Sequence, residues 1–396
     1  MRSGISILLV GLIFVIATDT AFFLLIKKYL HRKAYIIGYW LTSLPFVAGI
    51  LTYHLTIKGV RTPEAYHLFS ILIGVLFLFY APKLIYIIIG TIAWGTGLLK
   101  RSAGNVIRKI AVAGAVISFF VILFGITWGR YNFKVQTTSV CIQELPDSFN
   151  GLKIVQLTDI HLGSYGKNYK GIPKLVREVN ELQPDLILFT GDMVNNFASE
   201  MPHWMAELSK LHAKYGKFAV TGNHDYGDYA RWANPEDKKQ NMDTFLQQMQ
   251  EIGFHMLNNT NTPLVLNHDT LYIAGVENWG KPPFPRYGDL AQALQSIGDH
   301  PIILLSHDPS HWRAEVLNYP IALTLSGHTH AMQMGIQLGS WEWSPAKYIY
   351  PEYDGLYQED SQYLYVSRGQ GYLGFPGRLG LRPEISEIIL KNDCKK

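Results

Sequence analysis

The stretch LKIVQLTDIH, residues 152–161, decides the fold that this sequence predicts. Its first six residues, 152–157, are a short run of mostly apolar residues, as in a strand that is buried on both faces. The polar group TDIH follows at once, so Asp159 and His161 come at the carboxyl end of the predicted strand. Ligands of open α/β sheets bind beyond the carboxyl ends of the strands. We therefore expect these two side chains at a binding site.

The same arrangement follows four further predicted strands, at 186–189, 218–221, 302–305 and 322–325. A single Asp-Gly or D-x-H turn is common in loops, but an ordered set of five is not. Carboxylate, imidazole and amide-oxygen ligands suit a divalent transition metal. The set exceeds what one ion needs, so two ions that share a carboxylate are the simplest interpretation. The segments concerned are GDMVN (191–195), GNHD (222–225), SHD (306–308) and GHTH (327–330).

Helical patterns separate these strands and predict a soluble α/β domain. The apolar spacing indicates helices at 172–182, 204–211 and 242–252. Two more apolar runs, 271–276 and 385–390, are predicted strands. The fold class expected from Lys134 onwards is therefore α/β.

Charge is divided unevenly along the chain. Residues 1–133 contain 13 Lys+Arg and 2 Asp+Glu, a net charge of +11, and the remaining residues carry −7, which gives the overall +4. The excess positive charge lies among apolar runs, so we expect no nucleic-acid partner. The 48% hydrophobic content excludes a disordered chain. Two cysteines are too few for a disulfide-rich scaffold or a Cys-based zinc finger.

Four apolar runs, at about 5–26, 35–57, 68–99 and 110–129, predict four transmembrane helices. Each reaches the roughly 20 residues that cross about 30 Å of hydrocarbon. A cleaved signal peptide is the alternative for the first run alone. The third run contains Pro82-Lys83, and we expect one tilted or kinked span there because each half is too short to cross.

The short loops predict the orientation of these spans. Loops 27–34 and 100–109 contain four basic residues each, and loop 58–65 contains two. Loops rich in Lys and Arg face the cytoplasm. We therefore expect the N-terminus and everything after Gly129 on the outer, periplasmic or extracellular, face of the cell membrane.

Two charged residues, Asp19 and Lys83, fall inside predicted spans at similar depth. A lone charge there is costly and usually finds a partner. One hypothesis is that the two side chains pair and fix the packing of spans one and three. The alternative is that Lys83 extends to the cytoplasmic interface while Asp19 is protonated or bonded to the backbone.

The ordered set of motifs resembles the calcineurin-like metallophosphoesterase superfamily over residues 153–390. It is most similar to the membrane-anchored branch of bacterial phosphodiesterases and UDP-2,3-diacylglucosamine hydrolase-like proteins. The resemblance implies a four-layer α/β/β/α sandwich with two metal ions at the strand ends. Together with the four transmembrane helices, it divides the chain into a membrane region, 1–133, and a phosphoesterase domain, 134–396.

The resemblance also implies two divalent metal ions, such as Mn²⁺, Fe or Zn²⁺, and the residues that would bind them. Asp192 would bridge the ions, and His224 would contact the substrate phosphate; both are predicted catalytic residues. The remaining ligands would be Asp159, His161 and His330 for the first ion, and Asn223, His307 and His328 for the second.

The last part of the chain adds two arginines to the resemblance. The branch often ends with V-S-R-G, then R, then R-P-E-I, which here are residues 366–369, Arg378 and 382–385. On this basis Arg378 and Arg368 are predicted to bind the substrate. After GHTH the branch usually has Gly-Gly-Gln, whereas residues 331–333 are Ala-Met-Gln. Every ligand is kept, so this departure concerns the floor of the pocket.

The function implied is a membrane-anchored phosphoesterase that acts on a phosphomonoester, phosphodiester or pyrophosphate of a lipid-linked or cell-envelope substrate. Two cations lower the pKa of a water between them, and the hydroxide attacks phosphorus in line. His224 is a candidate acid for the leaving oxygen. A transporter or sensor, and a metal-binding domain without catalysis, are the alternatives. A lipid A precursor pyrophosphate is one candidate substrate, although that step normally faces the cytoplasm.

Two aromatic loops and two cysteines are further features with open roles. Loops 279–287 and 341–353 are rich in aromatic residues and proline. They would either enter the membrane interface and hold an acyl chain, or pack as rigid surface loops. Cys141 and Cys394 would either form a disulfide between terminal strands or remain free thiols.

Overall fold

The computed structural model describes residues 3–56, 62–166, 170–339 and 341–393. Its chain separates into two compact units. The helical unit comprises Met1–Val60, Leu68–Thr127 and Gly374–Gly377. The sandwich unit comprises Arg61–His67, Trp128–Leu373 and Arg378–Lys396.

Long apolar helices make up most of the helical unit. Four segments are long and apolar enough to cross a membrane: Leu8–Tyr29, Lys33–His54, Pro63–Leu99 and Arg101–Tyr131. The prediction of four membrane spans is therefore confirmed. The helices are α1 (Ser3–Ile26), α2 (Lys33–Leu41), α3 (Leu44–Thr56), α4 (Pro63–Leu99) and α5 (Arg101–Thr127).

The structure corrects the sequence analysis at two points in this unit. The second span is two helices, because α2 ends at Leu41 and α3 begins at Leu44. Pro45 lies in the first turn of α3, where its missing N–H is tolerated and a continuous helix is not. The predicted loop 100–109 is helical from Arg101, which leaves Lys100 as the junction between α4 and α5. The third span is one helix that contains Pro82, as predicted.

The pairing of Asp19 with Lys83 is confirmed. Lys83 Nζ lies 2.6 Å from Asp19 Oδ1. The other carboxylate oxygen accepts hydrogen bonds from Ser43 Oγ at 2.6 Å and Tyr80 Oη at 2.9 Å. Tyr39 donates to the Asp19 backbone carbonyl at 2.6 Å. Ser43 lies between α2 and α3, so the break in the second span places a donor on the buried carboxylate. The alternative in which Lys83 extends to the interface is wrong.

Two mixed six-stranded sheets form the sandwich unit. Sheet 1 has the order β1-β14-β2-β3-β4-β5, and sheet 2 has the order β12-β13-β9-β8-β7-β6. The separate hairpin β10-β11 belongs to neither sheet. The strands are β1 (Lys134–Cys141), β2 (Lys153–Leu157), β3 (Leu186–Phe189), β4 (Lys217–Ala219), β5 (His255–Met256), β6 (Thr260–Leu266), β7 (Asp269–Gly275), β8 (Ile302–Leu305), β9 (Leu323–Ser326), β10 (Ile336–Leu338), β11 (Trp341–Trp343), β12 (Gly355–Glu359), β13 (Gln362–Val366) and β14 (Glu384–Lys391).

Three apolar clusters divide this unit into layers. On sheet 1, Val155 packs with the helices α7 and α9, whereas its neighbour Ile154 faces the other sheet. On sheet 2, Ile303 faces sheet 1 and Leu304 packs with α10 and α11. The order helix, sheet, sheet, helix is the predicted four-layer sandwich. The helices of this unit are α6 (Leu162–Tyr165), α7 (Ile172–Glu181), α8 (Met205–Leu208), α9 (Pro235–Glu251), α10 (Leu290–Ala293) and α11 (Ser310–Ala314).

Several predicted element bounds shift for local reasons. Helix α9 begins at Pro235 rather than 242, because the Asn234 side chain accepts a hydrogen bond from the Asp237 N–H and caps the helix. The predicted helix 204–211 is reduced to the single turn α8. Cys141 ends β1 and is disulfide-bonded. Cys394, the other cysteine of the chain, lies outside the described residues.

Strand register places the polar loops of each sheet side by side. Strands β2, β3 and β4 are parallel, as are β7, β8 and β9. Leu157 lies opposite Phe189, and Leu305 opposite Leu325. The Asp159 N–H donates to the Gly191 carbonyl at 2.8 Å, which joins the loops that follow β2 and β3.

Candidate metal centre

Five Asp and His residues in these loops adopt the left-handed backbone region, which non-glycine residues rarely enter. Such conformations persist only where the surrounding structure holds them, and they cluster at functional sites. The left-handed backbone turns each side chain back over the strand ends. The residues are Asp159 (φ 53°), His161 (φ 52°), Asp192 (φ 61°), His328 (φ 70°) and His330 (φ 50°).

Asp159, His161 and His330 form the first candidate metal group. Their ligand atoms all lie within 4.8 Å of one another. His330 Nε2 is 3.1 Å from Asp159 Oδ1 and also 3.1 Å from His161 Nε2. Burial lowers the pKa of His161 to about 3 despite the nearby carboxylates, so its imidazole is neutral. A neutral imidazole nitrogen is the form that binds a metal.

Asp192, His307 and His328 form the second group, again with ligand atoms within 4.8 Å. Asn223 Oδ1 lies 2.8 Å from His328 Nδ1 and 3.1 Å from His307 Nε2. Burial alone would lower the pKa of His307, but the Asp192 carboxylate raises it to about 10. The negative charge of Asp192 that favours a proton on the His307 ring would equally favour a metal cation in place of that proton.

Asp192 lies between the two groups. Its Oδ2 atom is 3.6 Å from His161 Nε2 and 3.2 Å from His307 Nε2. Its Oδ1 atom accepts a hydrogen bond from the His224 backbone N–H at 2.8 Å. One carboxylate thus faces both groups, which is the position that a bridging ligand requires.

The donor set fits two divalent cations. The buried Asp159 Oδ1 atom has a His330 nitrogen 3.1 Å away but no well-aligned hydrogen bond from the described residues. The Nε2 atoms of His161 and His330 face each other at 3.1 Å, and a cation between them would satisfy both lone pairs. Mixed nitrogen and oxygen ligands suit Mn²⁺, Fe or Zn²⁺.

His224 lies beside this centre without belonging to either group. Its Nδ1 atom is 2.8 Å from the Asn195 carbonyl, which accepts and so holds the proton on that nitrogen. Its ring lies 5.0 Å from the His161 ring and 4.6 Å from the Tyr229 ring. The Nε2 atom is therefore the one left for a bound substrate. Burial lowers the pKa of His224.

Comparison with known proteins identifies both parts of the chain. Residues 152–332 match the family "Calcineurin-like phosphoesterase". Residues 1–130 match "Probable Calcineurin-like phosphoesterase, transmembrane domain". The Bacillus subtilis (strain 168) protein "Uncharacterized metallophosphoesterase YkuE" is 32% identical over 278 residues, which cover 68% of this chain and 90% of that protein. The chain belongs to the calcineurin-like phosphoesterase family. It is a membrane-anchored, metal-dependent phosphoester hydrolase.

Two further relatives share the similarity. The bovine (Bos taurus) "Transmembrane protein with metallophosphoesterase domain" is 32% identical over 76% of this chain and 67% of the bovine protein. The Chlamydia trachomatis (serovar D, strain ATCC VR-885 / DSM 19411 / UW-3/Cx) protein "UDP-2,3-diacylglucosamine pyrophosphatase LpxG" is 28% identical over 57% of this chain and 81% of that protein.

Asp225 supports the site of this calcineurin-like phosphoesterase and was missed as a functional residue. Its buried carboxylate accepts hydrogen bonds from the backbone N–H groups of Asp192, Met193, Val194 and Gly222, at 2.8–3.2 Å. It thereby joins the loop of Asp192 to that of Asn223. Its place in GNHD is the signal that could have identified it.

Glu200 has a similar role and was also missed; its place in the first turn of a short 3-10 helix, Ala198–Glu200, is the local signal. Its carboxylate accepts from the backbone N–H groups of Gly163, Asn195, Asn196 and Phe197. Burial raises the pKa of Glu200 to about 7, although these N–H groups oppose the shift. The Asn195 carbonyl that orients His224 lies in this loop. Glu200 therefore positions His224 from a distance.

The two arginines of this phosphoesterase are engaged within the protein, which argues against their predicted role in substrate binding. Arg378 is buried and donates to backbone carbonyls, among them those of His330 at 2.9 Å and Gly371 at 2.7 Å. Arg368 forms ion pairs with carboxylates, including Glu342 and Glu384 at 3.1 Å each. Both guanidinium groups hold the loops around the ligands in place.

The two aromatic loops reach the centre at His328. The Tyr350 hydroxyl lies 2.9 Å from His328 Nε2, and the Phe284 ring meets the His328 ring edge-on at 4.7 Å. Next to them lies a cavity of about 450 Å³. Its lining includes Trp279, Lys281 and Tyr350. Arg313 and Glu352 also line this cavity, and Tyr350 links it to His328 of the second candidate metal group.

Proposed function

We propose that this enzyme hydrolyses a phosphate ester or pyrophosphate bond of a lipid-linked or cell-envelope substrate, in a domain formed by residues 134–396. The position of Asp192 between two complete ligand groups carries the proposal. In this assignment Asp192 would bridge two cations. Asp159, His161 and His330 would hold the first cation, and Asn223, His307 and His328 would hold the second.

The two cations, when bound, would attract the phosphate oxygens and activate a water molecule. The chain then has to orient the phosphate and supply a proton. His224 is the residue in position, because Asn195 occupies its Nδ1 atom and leaves Nε2 for the substrate. A protonated His224 would donate to a phosphate oxygen and pass its Nε2 proton to the leaving oxygen.

The cavity that Tyr350 shares with the second candidate metal group supports the proposed substrate class. Ile349 and Tyr350 line it with apolar surface and Lys281 with a positive charge, while Arg313 and Glu352 in the same lining form an ion pair. Such a mixture suits an amphiphilic ester that has an anionic head. The chlamydial relative, by its name, acts on a diacylated sugar nucleotide. A molecule of that kind combines acyl chains with a pyrophosphate.

A substrate panel tests the proposal. Purified full-length protein with Mn²⁺ would be offered a phosphomonoester, a phosphodiester, a nucleotide-linked pyrophosphate and a total lipid extract. We expect a new phosphate-containing product from the lipid extract or the pyrophosphate. Hydrolysis of none of the four would contradict the proposed function, and hydrolysis of the soluble esters alone would contradict the lipid-linked substrate.

We further propose that the phosphoesterase domain faces outward. The basic residues between α1 and α2, and those around Lys100, support this orientation. A reporter inserted between residues 58 and 65 tests it, because this segment should be accessible from outside. Cytoplasmic location of the reporter would invert the bundle and place the enzyme inside.

A transporter in which the helices carry the function is less well supported. Asp19 and Lys83, the two charged residues within predicted spans, bind each other. Their charges are therefore compensated inside the unit and do not offer a site to a passing ion.

A further inference from the structure

The hairpin β10-β11 carries its apolar side chains on one face. Ile336 pairs with Trp343, and Leu338 pairs with Trp341. Directly paired residues of an antiparallel hairpin point to the same side, so these four side chains share a face. Glu342 points to the other side, where it forms an ion pair with Arg368 at 3.1 Å.

This face is unusually exposed for apolar residues. Leu338 is 68% exposed, Trp341 54% and Ile336 49%. The next turn adds Tyr348, which is 73% exposed, and Ile349, which is 55% exposed. We call these residues, together with Trp343, the apolar hairpin face. A contiguous apolar surface on a folded domain marks an interaction site.

We propose that the apolar hairpin face docks on the lipid bilayer. The four spans in the same chain hold the domain at a membrane, so lipid is the partner always present. Its composition matches a membrane interface, where Trp and Tyr rings are enriched and Lys extends to the headgroups. Lys347 lies exposed beside the Tyr348 ring, at 5.1 Å. The acidic residue of the hairpin, Glu342, is turned away and paired.

Docking there would bring the catalytic site to the lipid surface. Tyr350 directly follows Ile349 in the chain and contacts His328 at 2.9 Å. A lipid substrate would then reach the metal centre without leaving the interface. This consequence rests on the proposed function, whereas the docking itself does not.

A fluorophore placed on the face tests the docking. Leu338→Cys would be labelled with an environment-sensitive dye in the full-length protein, reconstituted in phosphatidylcholine–phosphatidylglycerol vesicles with and without brominated lipid. Val265→Cys on β6 is the matched control, because Val265 is also apolar and 57% exposed. The unsubstituted protein serves as the labelling blank. We expect a blue shift, and quenching by brominated lipid that is at least about threefold stronger at 338 than at 265.

Equal quenching at the two positions would overturn the proposal. Cross-linking of Leu338→Cys between two copies, without lipid quenching, would overturn it in favour of self-association. An activity measurement separates docking from catalysis: the double variant Leu338→Ser, Trp341→Ser should keep its rate on a soluble phosphodiester and lose rate on a vesicle-embedded ester. Equal loss on both substrates would contradict a docking role.

Discussion

Two groups of buried charged side chains, one in each unit, are completed in opposite ways. In the helical unit both oxygens of the Asp19 carboxylate have donors, Lys83 on one and Ser43 and Tyr80 on the other. In the sandwich unit, Asp159 Oδ1 lacks a well-aligned hydrogen bond from the described residues, and the Nε2 atoms of His161 and His330 lie 3.1 Å apart. A buried charge whose partners are all side chains of the same protein stabilises the fold. Buried ligand atoms that lack such partners are arranged to bind cations from solution.

The sharpest test of this contrast is removal of the bridging charge. Asp192→Asn should lower turnover by at least about 10³-fold, since one ligand of both cations weakens, with little change in thermal unfolding. Steady-state hydrolysis and a melting curve measure the two effects. EDTA should have the same effect on activity, and added Mn²⁺, Fe or Zn²⁺ should restore it.

The exposed carboxylate of Asp243 supplies the control, because it pairs with Lys239 on the surface of α9, away from the candidate metal centre. Asp243→Asn should leave turnover unchanged. Full hydrolysis by the metal-free protein would refute the interpretation of two metal ions.

The second prediction concerns His224, which lies at the centre but in neither ligand group. His224→Ala should keep both metal ions and lose about 10²–10⁴-fold in rate, as expected for an acid–base group. Metal content by mass spectrometry, and turnover, would be measured on the same sample. His212, which is exposed, is the matched control for loss of an imidazole. Unchanged turnover on esters with both good and poor leaving groups would remove His224 from the mechanism.

The third prediction concerns the ion pair between Asp19 and Lys83 in the helical unit. Asp19→Asn and Lys83→Met should each destabilise it by about 3–5 kcal/mol, because each leaves the other charge buried and unpaired. The double variant should recover much of the loss. The free energy of unfolding in detergent would be measured for the four proteins of this double-mutant cycle. Turnover per folded molecule should not change. Additive losses would show that the two charges do not stabilise each other.

The smallest expected effect concerns the cysteines. Cys141 is disulfide-bonded, as an oxidising outer compartment would allow, and Cys141→Ser should cost about 2–4 kcal/mol. Gel mobility and thiol labelling with and without reductant test the bond. Identical results in both conditions would argue against the bridge and would weaken the proposed orientation.

Local patterns in the sequence predicted much of this architecture. Apolar runs of four to six residues that end in Asp, His or Asn located β2, β3, β8 and β9 and the loops that the structure brings together. The length of the long apolar runs predicted the membrane helices. These features depend on residues close together in the chain, and so a single sequence reveals them.

Features that depend on distant partners were not predictable. Glu200 accepts from N–H groups three to five residues before it, but its fourth donor, Gly163 in α6, lies 37 residues away in the sequence. Arg378 looks like an anion-binding residue until the carbonyls around it are known. The basic stretch after Lys100 was predicted as a loop because of its charge, whereas the structure continues α5 through it from Arg101.

The position of β14 has a consequence for biosynthesis. Strand β14 lies between β1 and β2 in sheet 1, and β1 pairs in parallel with β14 along its whole length, from Lys134–Glu384 to Cys141–Lys391. About 250 residues are translated between these strands, which at roughly 5–20 residues per second takes about 12–50 s. During that time the membrane helices are already made and β1 has no partner within its own sheet. The nascent domain therefore waits beside the translocation machinery with an open sheet edge, and a ribosome that stalls before residue 384 leaves that edge exposed to chaperones and proteases.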